Sequence, residues 1–228
     1  MAVVARHSER IMNCQPGTPV TPFTEWLSWY FGDCRLELPW MRCDAEAGCS
    51  PAAEDLTYLT SVFENCEDLV VCYSADKAGA GLACLTNAGK SDAKHSLHDP
   101  ELPFTRRSRC IMLQERVFRR VFSDLECSLH AGSAHSPLVT ACLEWWANIL
   151  PFGLVADVDA NWDAHFSVMR RLCDLDSELV AASVSIGLRD VFPERRAEVR
   201  GIIEAFRQKH QDPSAALDEL LRSALAWT

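Results

Sequence analysis

The chain has 228 residues, 48% of them apolar, enough to bury a core without metal or disulfide staples. Its formal charge of −10 argues against nonspecific binding to nucleic acid or an anionic membrane. The acid is uneven: residues 1–105 hold 7 Lys+Arg against 15 Asp+Glu, a net of −8, and residues 106–228 hold 15 against 17, a net of −2.

In chain order, Thr21-Pro22 pairs a capping oxygen with a proline, and this predicts a helix over 22–31. Phe23, Trp26, Leu27 and Tyr30 share its apolar face, while Trp29 points elsewhere. Gly32, Pro39 and Gly48 mark 32–49 as irregular, with Trp40 inside it. Ser50-Pro51 opens a helix over 51–65, and apolar periodicity then runs through 67–87. Val70–Tyr73 is the best strand candidate in the chain, and a helix fits it equally well. Gly79 and Gly81 are expected to let a neighbouring helix approach closely, and Gly89 to end the run. Residues 90–104 are polar and aperiodic, and are expected to link an N-terminal part, 1–89, to a C-terminal helical array, 105–228.

Further helices are expected at 107–130, 137–150, 161–173, 177–191, 194–209 and 213–226, with Ser136-Pro137 and Asp212-Pro213 as start signals and Gly132 as a stop. In the first of these, Ile111, Phe118, Val121, Phe122 and Leu125 fall on one side and Arg109, Arg116, Arg119 and Arg120 on the other. Such a stripe is expected to be a solvated face ion-paired to the acidic N-terminal part; its alternative role is to hold phosphate or nucleic acid. Trp145 and Trp146 are adjacent, about 100° apart on a helix, so they cannot face the same neighbour.

The eleven cysteines include no CxxC pair, and several sit in apolar helical runs, which fits reduced thiols acting as small hydrophobes. Arg6 and Arg10 precede no apolar stretch, so no signal peptide is expected, and no apolar run reaches the roughly 20 residues of a membrane helix. The expectation is a cytoplasmic protein.

Motifs for chemistry fail on inspection. Asp157-Val158-Asp159-Ala160-Asn161-Trp162-Asp163 begins like a calcium loop, but Trp162 and Val168 stand where that loop needs Gly and Glu. It is expected to be an acidic interhelical loop, with Asp159 or Asn161 capping the next helix. Gly89-Lys90-Ser91 imitates a phosphate loop, but Cys84 occupies the position of its first Gly. The stretch from His130 to Ser136 holds imidazoles and hydroxyls without an arranged acid, and Cys34, Cys43 and Cys49 match no zinc spacing. No catalytic residue, metal or cofactor is expected.

One signal reaches further. Ser136-Pro137-Leu138-Val139-Thr140-Ala141 recurs as Ser177-Glu178-Leu179-Val180-Ala181-Ala182, an offset of 41 residues. Glu67–Cys72 and Leu220-Leu221 extend it more weakly. Over residues 107–226 the chain resembles the HEAT-like α-solenoid proteins, although the Val-Arg pair frequent in that family is Val139-Thr140 and Val180-Ala181 here. The resemblance implies an all-α fold, a short stack of antiparallel helix pairs behind a divergent, aromatic-rich N-terminal part. It also implies a binding scaffold more often than an enzyme.

The functional expectation is a non-enzymatic, acidic protein-binding module, an inhibitor or immunity-type protein that blocks a basic toxin or enzyme. Trp29, Trp40, Asp157, Asp159, Trp162, Asp163 and Glu178 are its expected partner-binding residues, because tryptophan dominates interface hot spots and acid speeds capture of a basic protein. The alternative is a helical enzyme whose Asp157, Asp159, Asp163 and His165 converge for acid–base or metal-assisted hydrolysis.

Overall fold

A computed structural model describes residues 22–32, 51–87, 93–125, 136–150, 158–189 and 195–226. Ten α-helices account for most of them: α1 (Pro22–Phe31), α2 (Pro51–Glu64), α3 (Cys66–Cys72), α4 (Ala75–Thr86), α5 (Phe104–Val117), α6 (Pro137–Ile149), α7 (Val158–Leu172), α8 (Glu178–Leu188), α9 (Arg196–Lys209) and α10 (Ala215–Ala226). A 3-10 turn covers Ala93–Leu97, and no strand occurs among the described residues.

The helices pack in two rows. One runs α1, α4, α6, α8, α10, and the other runs α2, α5, α7, α9. From α5 onward the chain alternates between rows. One cluster of buried apolar side chains extends from Phe23 to Ala224, and the stretch expected to be a linker contributes Ala93, Leu97 and Leu102 to it.

Serine starts four helices of the first row. The hydroxyls of Ser74, Ser136, Ser177 and Ser214 accept the N–H of Lys77, Val139, Val180 and Leu217, each satisfying a donor that the first helical turn leaves over. The Ser136-Pro137 start is therefore as expected. Ser214, not Asp212, caps the last helix, so the unit aligned with Leu179-Val180 is Ala216-Leu217 rather than Leu220-Leu221. Upstream, the row member is Ser74 with α4; Glu67–Cys72 lies in α3, which packs on α2, α4 and α5. The run expected as one helix over 67–87 breaks because Tyr73 and Ser74 are extended and Ser74 caps anew.

The 41-residue echo is a packing register. Ser183 donates its hydroxyl proton to the Cys142 carbonyl, and 183 − 142 is 41. A methyl group at Gly187 would overlap Trp146, and 187 − 146 is again 41. A constant offset at two points makes α6 and α8 parallel neighbours in register. Gly79 and Gly81 act as expected, on two sides: the first lies against the backbone at Pro137 and Leu138 of α6, the second against the Phe31 ring of α1.

Helix α5 ends in a π-turn over Phe118–Phe122, where Ser123 N–H reaches the Phe118 carbonyl five residues back and the Ser123 hydroxyl donates to the Arg119 carbonyl. This wider turn seats Phe118 between Trp145 and Trp146, edge-on to the first at 5.8 Å and stacked on the second at 5.1 Å. Both tryptophans are fully buried and, against expectation, share Phe118; beyond it Trp145 meets Phe63 and Phe122, and Trp146 meets His165.

Candidate functional site

Two groups of polar side chains bear on function, and α7 separates them. It begins at Val158, so Asp159, Asn161 and Asp163 lie within a helix and not in the expected loop; Asp157 lies outside the described residues. At about 100° per residue, Asp159 and Asp163 share one face and Asn161 and His165 share another. The first face looks outward, and the second is sealed in the core.

On the outer face Arg195 gathers three carboxylates. Its guanidinium donates to Asp159 at 2.7 Å, Asp163 at 2.9 Å and Glu198 at 3.0 Å. The hydrogen bond from Arg195 holds the Glu198 carboxyl below its ordinary range. Three negative charges thus meet on Arg195, and Arg170 also acts on Glu198. Further along, Asp174 accepts from Arg119, Asp176 is exposed, and Glu178 accepts the Ser214 backbone N–H at 2.6 Å, tying the start of α8 to that of α10.

The inner group joins α5, α6, α7 and the turn at 93–98. Lys94 donates to the Asn148 carbonyl and His98 Nε2–H to the Ile149 carbonyl, so both side chains close the C-terminal end of α6. Arg107, on the first turns of α5, donates to the Leu102 carbonyl and to Asn161 Oδ1. The His165 ring lies 5.5 Å from that of His98 and 6.0 Å from that of Trp146.

The chemistry of the donors fixes several orientations. Arginine and indole N–H only donate, so Asn161 and Gln114 present their oxygens to Arg107 and Trp145, and their nitrogens face away. Those two nitrogens, Trp146 Nε1, His98 Nδ1 and both nitrogens of His165 are buried without a hydrogen-bond partner among the described residues. Burial, with Lys94 and Arg107 adding to it, pushes the His98 imidazole down to about 4. Burial also holds His165 far below the ordinary histidine range, and the neighbouring His98 adds to that effect. Both rings are neutral at pH 7.

Of the expected partner-binding residues, Trp29 is 80% exposed, and Asp159 and Asp163 are open on the outer face. Trp162 is only 2% exposed and packs on Phe166, so it belongs to the core and presents no contact surface. The apolar residues Trp162, Phe166 and Met169 follow helical spacing, which was the signal available for this. Glu178 is half-buried, and Trp40 lies with Asp157 outside the described residues. The carboxylates of Asp159 and Asp163 do not converge with the sealed His165 imidazole.

Three of the four arginines in the stripe along α5 and its π-turn are ion-paired among the described residues. Arg109 holds Glu64, Arg116 holds Glu67, and Arg119 holds Glu115 and Asp174, so the first two pairs link it to the acidic N-terminal part as expected. Cys66, Cys84, Cys110 and Cys173 are free thiols. Burial pushes Cys66 and Cys110 up to about 12 and Cys173 to about 11, leaving them protonated and poorly nucleophilic at neutral pH. Among the described residues, no group of three or more His, Cys, Asp and Glu is placed to hold a metal ion, and no helix is long and apolar enough to cross a membrane. Comparisons with protein-family models, with curated proteins and with solved structures find no match.

Proposed function

We propose that this protein is a non-enzymatic, acidic protein-binding module that captures a basic protein partner, in the manner of an inhibitor or immunity-type protein. Its two helical rows serve as a HEAT-like scaffold, with the register of α6 and α8 as one repeat step. The observation that carries this reading is the division of α7. Its carboxylates, Asp159 and Asp163, are exposed and meet the half-buried Glu198 around Arg195, while its imidazole is sealed on the opposite face. Acid–base catalysis needs such groups within hydrogen-bond reach of one substrate. Capture of a basic protein needs the acid outside, where it steers encounter. The exposed indole of Trp29 adds an anchor of the type that dominates interface energetics.

The test is affinity capture from the native host at low salt, with the wild-type chain, the Asp159→Lys/Asp163→Lys double variant and Trp29→Ala side by side. The expected result is a co-purifying protein of basic isoelectric point that the double variant loses and that added salt releases. If no protein co-purifies with the wild type even at low salt, this function is wrong.

A further inference from the structure

The turn at 93–98 does more than connect α4 to α5. It straps the end of α6 through two cation-forming side chains, Lys94 on the Asn148 carbonyl and His98 on the Ile149 carbonyl. A helix C-terminus carries partial negative charge, so it favours the donors that Lys94 and the neutral His98 present. Behind His98 stands His165, with its ring 5.5 Å away and no hydrogen bond to either nitrogen among the described residues.

Among the described residues, burial and the neighbouring cations oppose a proton on either ring, and the Ile149 carbonyl, whose bond favours the charged His98, only partly offsets them. The charged groups acting on His98 are Lys94 and His95 from its own turn and Arg107 from α5, with the His165 ring facing it from α7. From α6 it meets carbonyls, and no hydrogen bond or ion pair joins either ring to a side chain of α2 or α4 among the described residues. His165 meets His98 and the Trp146 edge. The nearest acids on its own helix, Asp159 and Asp163, are turned outward and engaged by Arg195. Asp99, next in the chain to His98, accepts the Glu101 N–H. Among the described residues, a proton on His98 therefore adds positive charge beside Lys94 and Arg107, one on His165 adds it beside His98, and no carboxylate is placed to receive either.

We propose that His98 and His165 form an acid-operated latch: protonation below about pH 6.5 releases the 93–98 strap from the end of α6 and opens the polar interior, while the α6–α8 seam stays closed. The sign follows from linkage. Unfolded or opened histidine binds a proton near pH 6.5, and burial lowers that affinity in the closed state, where His98 titrates at about 4 and His165 lower still. The closed state is thus fully favoured above pH 6.5. It loses ground as pH falls from 6.5 towards 4, by about tenfold in the opening equilibrium per pH unit for each proton taken up.

The measurement is hydrogen exchange on the full chain at pH 7, 6 and 5, corrected for intrinsic exchange rates. The amides of His98 and Leu150, which bond to the His95 and Trp146 carbonyls, report the strap, and the amides of Val184 and Ser185 report α8. The expected result is protection at His98 and Leu150 that falls about tenfold to a hundredfold per pH unit below 6.5, with α8 unchanged. His165→Leu, which removes one of the two protons, is expected to flatten that fall by about tenfold per pH unit. Equal strap protection at pH 7 and pH 5 overturns the proposal, and so does loss of strap and α8 protection in the same proportion. If His165→Leu does not fold, titration of the wild-type imidazole nitrogens decides in its place. Both rings silent through pH 6.5 in the closed protein is the supporting outcome, and either ring titrating near 6.5 with the strap still protected is the overturning one.

Discussion

The seam between α6 and α8 and the interior beside His165 are equally buried, but they are stabilised differently. At the seam, small residues meet large ones: Gly187 receives Trp146, and the buried hydroxyl of Ser183 has its acceptor on Cys142. Around His165, five side chains carry buried polar atoms that have no partner among the described residues: His98, Gln114, Trp146, Asn161 and His165 itself. Trp146 belongs to both regions, with its Cβ in the seam and its indole edge at His165. Close packing gives the first region one arrangement, whereas unmatched donors and acceptors leave the second with a reason to change when conditions do.

The sharpest way to break this contrast is to remove the shared residue. Trp146→Ala empties the seam and the interior together, and is expected to lower unfolding stability by about 3–5 kcal/mol in a denaturant titration. Gly187→Ala tests the seam alone, because the added methyl has to displace Trp146; a loss of about 1–3 kcal/mol is expected. A neutral outcome there means that the two helices do not pack at that register. Ser183→Ala deletes the seam's satisfied hydroxyl and is expected to cost about 1 kcal/mol. His165→Leu should behave in the opposite way at pH 7. It removes two polar atoms that have no partner among the described residues, so stability should stay within about 1 kcal/mol of wild type, with any change on the gaining side. The smallest effect belongs to the outer face of α7, where Arg195→Ala is expected to cost less than about 1 kcal/mol, since Asp159 and Asp163 are both solvated.

The seam was legible in the sequence because its determinants are local and repeated. Ser136 and Ser177 each cap a helix three residues ahead, and the 41-residue offset between them is the register at which the two helices meet. The glycines announced close approach, though not which helix would come near. The polar interior was not legible. Lys94 and His98 sit in a stretch whose composition resembles solvated loop, and their acceptors lie 54 and 51 residues further along the chain. Arg107 likewise finds Asn161 at a separation of 54, and nothing at either position signals the pairing. The aspartates from 157 to 163 suggested a loop because three acids in seven residues are poor helix formers. Packing of Trp162 and Phe166 outweighs that preference and draws residues 158–163 into α7. The same packing takes Trp162 out of consideration as a contact residue.

Trp29 stands almost fully in water on α1, whereas Trp145, Trp146 and Trp162 are sealed. That division makes the chain its own optical instrument. Emission from an indole in water lies to the red of emission from one in a core, and a water-borne quencher reaches only the former. A partner that covers Trp29 would shift emission to the blue and protect it from quenching. Opening of the interior around Trp146 would do the reverse, and Trp29→Phe measured beside the wild type separates the two against the signal of the other tryptophans.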